Sequence, residues 1–105
     1  MAQFDVYANP NVAQRQAFPF LVDMQSNQLS HFTTRLAMPL ARLPARPASA
    51  PRRLAQTVSI DGEALFPAAH LCAAMPARLL AKPVTSLGRD PSHLIDALDA
   101  VVSGV

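Results

Sequence analysis

Ten prolines punctuate this 105-residue chain and confine regular structure to short segments between them. Proline has no N–H and a fixed φ, so it starts or ends ladders and helices and is excluded from their interiors. Gln3-Phe4-Asp5-Val6-Tyr7 places apolar residues at 4 and 6 and reads as an opening strand, and Asn9-Pro10-Asn11 supplies the turn after it. A second strand runs through Phe18–Ser26, with its bulky residues beginning at Phe20 and Pro19 at its start or on an edge. Phe32–Leu40 reads as a third strand closed by Pro39, and Arg78–Lys82 as a short strand ended by Pro83.

From Ala41 to Pro51 three prolines and no periodic apolar face give an extended surface loop. Strand character returns over Leu54–Ile60. Asp61-Gly62 is a strong two-residue hairpin signal, and Glu63–Phe66 is the return strand. Ala68–Ala74 is alanine-rich and fits a helical turn or a loop before Pro76. The chain finishes in a helix with Asp90 as N-cap and Pro91 at the first helical position, where no amide donor is missed. Leu94, Ile95, Leu98, Val101, Val102 and Val105 follow a helical stripe, with Ser92, Asp96, Asp99 and Ser103 opposite. Several strands and one terminal helix predict a mainly β, barrel-like domain with a docked C-terminal helix.

Half the residues are apolar, so a packed core is expected, and the length suits one domain over residues 1–105. A core this small gains from dimerisation. The lone Cys72 excludes an internal disulfide and a multi-cysteine zinc site. The most apolar stretch, Ala64–Ala77, is cut by Pro67, His70 and Pro76, so no membrane span is expected. Met-Ala-Gln-Phe-Asp lacks a basic run leading into an apolar one, so no secretory signal is expected and the expected compartment is the cytoplasm. Net charge is only +2. Arg42, Arg46, Arg52 and Arg53 cluster without interleaved aromatics, which reads as a solvated arginine loop before a nucleic-acid patch.

No catalytic constellation emerges. His31, His70 and His93 are scattered and in no metal-ligand spacing, so neither a metal nor a cofactor is expected. His70 and Cys72 lie two apart, but a small buried cysteine is the commoner reading. Asp23, Ser26 and His31 are near in sequence, which is not the geometry of a triad. Gly62, Gly88 and Gly104 form no phosphate loop. The helix stripe continues to Val105, and periodicity allows two readings of that end: it completes the core, or it is an exposed tip that contacts a partner.

The order of these segments resembles the CcdB family, toxins of bacterial toxin–antitoxin pairs. The resemblance is carried by Gln3-Phe4-Asp5-Val6-Tyr7, by Phe20-Leu21-Val22-Asp23-Met24-Gln25-Ser26, by Arg35-Leu36-Ala37-Met38-Pro39-Leu40, by Ile60-Asp61-Gly62, by Pro76 and by the final Ser103-Gly104-Val105. It implies an SH3-like β-barrel of the CcdB/MazF type with a C-terminal α-helix, assembled as a homodimer. It implies no catalysis, but binding to the A subunit of DNA gyrase and trapping of the enzyme on cleaved DNA. It also implies a CcdA-like antitoxin, with DNA engaged only indirectly through the toxin–antitoxin complex, which represses its own operon.

The family's gyrase contact carries over to Ser103, Gly104 and Val105, with Val102, Asp99, Ser26 and Leu29 adjacent to it. The best-known family ending is Trp-Gly-Ile; here Ser103 and Val105 replace tryptophan and isoleucine. A buried interface tryptophan is worth about 2 kcal/mol or more, which corresponds to a roughly thirty-fold weaker complex when lost. The Arg42, Arg46, Arg52 and Arg53 rim offers attraction for an acidic antitoxin tail. Two alternatives differ in class: a gyrase-inactive homologue that serves as antitoxin-binding partner and co-repressor, and a MazF-like endoribonuclease using Arg35 or Arg78 over RNA.

Overall fold

The structure is a computed structural model and describes residues 2–45 and 56–103. Among these residues seven strands and one α-helix follow in the order β1 (Asp5–Ala8), β2 (Phe20–Asp23), β3 (Thr34–Ala41), β4 (Val58–Ile60), β5 (Glu63–Pro67), β6 (Ala73–Pro76), β7 (Thr85–Ser86) and α1 (Ser92–Ser103). The strands pair antiparallel in the order β4-β5-β3-β2-β1-β7, with β6 also on β3, and curl into a nearly closed SH3-like barrel. The expected fold class is therefore found.

The period-2 alternation of strands sorts the side chains. Val6, Val22 and Met38 stand in register across β1, β2 and β3. With Leu40, Leu65 and Phe66 they form the main core, closed by Leu94, Ala97 and Ala100 of α1. A second, smaller cluster joins Tyr7, Leu21, Ala37 and Leu80. Tyr7 and Leu21 alternate with Val6 and Val22 along the same strands, so this cluster lies on the other side of the sheet.

The Asp61-Gly62 hairpin is present between β4 and β5, with φ of 51° and 80° at its two central residues. Both values match the turn whose twist suits paired strands, and the second is natural for glycine. The opening strand is displaced: β1 begins at Asp5, because Phe4 has φ of 69° and turns Gln3 out of the ladder. Of the expected Leu54–Ile60 strand, Val58–Ile60 is found, and 54–55 lie outside the described residues.

Pro39 does not close β3; the strand runs on to Ala41. On one side β3 pairs with β2 throughout Ala37–Leu40, but on the other it changes partner, from β6 at Thr34–Ala37 to β5 at Leu40–Ala41. Pro39 falls in the gap between those partners, where no ladder donor is required, and its carbonyl accepts from the Ala68 N–H. The alanine-rich stretch divides into a 3-10 turn at Ala69–Leu71 and β6, a strand the sequence reading did not assign. Arg78–Lys82 is not a strand. Ala77–Leu79 forms a 3-10 turn with the Leu80 N–H donating to Ala77, and the pairing with β1 is made instead by β7.

Candidate partner-binding site

The helix is set by its first turn. Ser92 Oγ donates to Asp90 Oδ1 at 2.8 Å, and the Ser92 N–H bonds the same carboxylate. These bonds, the hydroxyl first, hold the Asp90 carboxyl below its ordinary range. His93 Nδ1 lies 2.8 Å from the Thr57 carbonyl and ties the helix start to the approach of β4.

The buried stripe of α1 is Leu94, Ala97 and Ala100, packed on β5 and the Ala69–Leu71 turn, and it differs from the expected one. Small alanines let the helix axis approach the barrel. That rotates Ile95, Val101 and Val102 toward solvent, Val102 being 79 % exposed. Of the two readings of this helix end, the described part follows the exposed one as far as Ser103. Asp99 and Ser103 are also exposed, and Ser103 Oγ donates back to the Asp99 carbonyl at 2.6 Å. Gly104 and Val105 lie outside the described residues.

Ser26 and Leu29 belong to a different element, the connection between β2 and β3. Ser26 caps a 3-10 turn over Asn27–Leu29, accepting from the Gln28 N–H at 3.2 Å. The turn exposes Leu29, and three residues on it exposes Phe32, edge-on to His31. This connection and the helix end are both exposed segments of the chain.

Arg42 is committed locally. Its Nε donates to Glu63 Oε2 at 2.9 Å, and its Nη1 donates to the carbonyls of Arg15 and Gln16, bracing the loop before β2 against β5. Arg46, Arg52 and Arg53 lie outside the described residues.

Arg35 is wholly buried. Its Nε donates to Asp23 Oδ2 at 2.9 Å, while Nη2 crowds the same oxygen at 2.6 Å without hydrogen-bond geometry. A side chain with no accessible surface cannot lie over RNA, so only Arg78, which is exposed, stays available to the ribonuclease alternative. Burial pushes the Cys72 thiol up to about 11, which fits an unreactive packing residue.

The model of the CcdB protein family matches residues 3–104. The chain belongs to the CcdB family. Family membership makes it a toxin-family protein of toxin–antitoxin systems. No curated protein matches it. Among the described residues no helix is long and apolar enough to cross a membrane. Sequence reasoning missed Ile95, Val101 and Phe32 as exposed apolar residues of this CcdB-family chain. The signal for the helix is the alternative Leu94–Ala97–Ala100 stripe, a faint one because alanine is weakly apolar beside valine and isoleucine.

Proposed function

We propose that this CcdB-family chain, as one toxin domain over residues 1–105, binds the A subunit of DNA gyrase and traps the cleaved gyrase–DNA complex. It acts in the cytoplasm as a homodimer, catalyses nothing itself, and is neutralised by a CcdA-like antitoxin drawn in part by Arg42, Arg46, Arg52 and Arg53. The contact is made by Ser103, Gly104 and Val105 with Val102 and Asp99, and by Ser26 and Leu29.

The observation that carries this reading is the helix end, the segment that the resemblance marks as the contact: its last described turn presents Val102 largely to solvent and packs on the core through Ala100. An exposed aliphatic end is costly to keep in water and is expected where a partner covers it. The test is incubation of purified protein with gyrase, supercoiled DNA and ATP, followed by denaturation and proteolysis. Linear DNA that disappears on deleting Ser103–Val105 is the expected result; its absence with gyrase from the native host sinks the reading.

A second reading has one observation in its favour. Ser103 folds its hydroxyl onto Asp99 and offers no aromatic surface where the best-known family ending has tryptophan. That favours a gyrase-inactive homologue that binds antitoxin and serves in repression. Growth arrest on expression, relieved by altered gyrase, separates the two.

A further inference from the structure

The connection from Ser26 to Thr34 is exposed throughout, so burial does not fix its shape. The Ser26 cap and the turn's own backbone bonds shape it locally, and hydrogen bonds from two glutamines tie it to the barrel. Gln25 reaches in two directions: its Oε1 accepts from the Leu36 N–H of β3 at 3.1 Å, and its Nε2 donates to the Leu29 carbonyl at 3.1 Å. Its own N–H donates to Asp23 Oδ1 at 3.0 Å, anchoring it to the buried Asp23–Arg35 pair. From the other side the Gln3 N–H donates to Asn27 Oδ1 at 2.8 Å, and Gln3 Nε2 donates to the Met24 carbonyl at 3.2 Å. The left-handed backbone at Phe4, whose N–H donates to the Asp23 carbonyl, turns Gln3 toward this segment. An aromatic residue at positive φ is costly and persists only where surrounding bonds impose it.

We propose that Gln25, assisted by Gln3, is a positioning residue that holds the Leu29 turn in its partner-binding shape. The inference rests on the gyrase reading above. The Leu29 carbonyl is the hinge of the device: it accepts from both Gln25 Nε2 and the Phe32 N–H, so one glutamine fixes the presentation of Leu29 and Phe32 together. An ordered turn binds without a further ordering cost, and its loss weakens affinity although Gln25 itself touches no partner.

The test uses the full chain. Gln25→Glu keeps an oxygen for the Leu36 N–H and replaces the donor that faces Leu29; Gln25→Met keeps length and removes both bonds. Amide exchange at Ser30 and Phe32 and calorimetric affinity for the gyrase A dimerisation region are measured beside thermal melts. Gln25→Glu is expected to speed exchange at both amides and weaken binding about tenfold, with Gln25→Met following it if the charged variant folds poorly. Combined with Leu29→Ala, it is expected to add less than about twofold to the Leu29→Ala loss, because the two act through one surface. Binding within twofold of wild type, or fully additive losses, overturns the positioning role. Wild-type protein that does not bind the gyrase fragment overturns the gyrase reading and this inference with it. That failure is distinguishable because every variant is then equally inert while the exchange rates still differ.

Discussion

Arg35 and Asp23 form an ion pair from which solvent is excluded on both sides, bridging neighbouring strands on the sheet face away from α1. Nη1 and Nη2 of Arg35 have no hydrogen-bond acceptor, and the nearby Tyr7 hydroxyl is likewise buried without a partner among the described residues. The Tyr7 hydroxyl is pushed up by burial and then by the Asp5 and Asp23 carboxylates, against a smaller opposing pull from Arg35. A pair withdrawn from water contributes little net stability because desolvation offsets its attraction, yet half of it left alone is a buried bare charge. Arg35→Met is expected to cost about 3–5 kcal/mol in urea unfolding, and the double change Arg35→Met with Asp23→Leu to recover most of that. Equal losses in the single and double variants would contradict this account.

Val102 separates stability from binding. Its side chain stands in water, so Val102→Ser is expected to move unfolding free energy by less than about 0.5 kcal/mol. In the gyrase cleavage assay the same variant is expected to need roughly tenfold more protein, in keeping with loss of an apolar interface anchor. Ser103→Trp is expected to act in the opposite direction, raising affinity without raising stability. A Val102→Ser protein that unfolds early but poisons gyrase normally would place the residue in the core.

Cys72 is a packing residue with a thiol near 11, against an ordinary value of 9.0. At pH 8 that rise leaves about a hundredfold less thiolate than in the unfolded chain. Iodoacetamide is therefore expected to label the native protein slowly and the urea-unfolded protein fast. Comparable rates would show that Cys72 is open to solvent.

Asp90 links the helix start to acid. Its carboxyl is bound more strongly when ionised in the folded state, so the folded value lies below the ordinary 3.8. The stability it contributes is present above that ordinary value and disappears as pH falls through the lower folded one. Asp90→Asn is expected to lower the melting temperature at neutral pH and to converge with the wild type below pH 4, so that the acid limb of the profile flattens. An unchanged acid limb would mean the cap is not formed in solution.

Strands and turns with local chemical signatures were legible in the sequence: Asp61-Gly62 carries its own backbone demand, and Asp90 takes the Ser92 N–H at the helix start, although the helix begins at Ser92, one residue beyond the expected Pro91. Positions decided by neighbours were not. Pro39 sits inside a strand because β3 exchanges one partner for another beside it, and nothing within Arg35–Leu40 announces that. β6 is nearly all alanine and proline, and it is a strand because Arg35 and Ala37 need a neighbour opposite Met75 and Ala73. The candidate site divided the same way. Leu29 and Val102 came from the family resemblance, whereas the exposure of Ile95 and Val101 followed from which helix face fits the barrel. Gln25 stood in the resemblance only as part of a strand, since its two bonds exist only once Leu36 and Leu29 stand on either side of it.

The change of partner at Pro39 also bears on how the chain reaches this structure. The first half of β3 waits for residues 73–76, and its second half for residues 66–67. Both closures span long stretches of chain, and both depend on the same strand already lying beside β2. Long loops closed onto a shared strand carry an entropic cost before they gain contacts. The helix packs on β5 and the Ala69–Leu71 turn, so its docking follows the placement of β5. Refolding is accordingly expected to be governed by β3, with changes at Met38 or Leu40 slowing it and changes along α1 chiefly hastening unfolding.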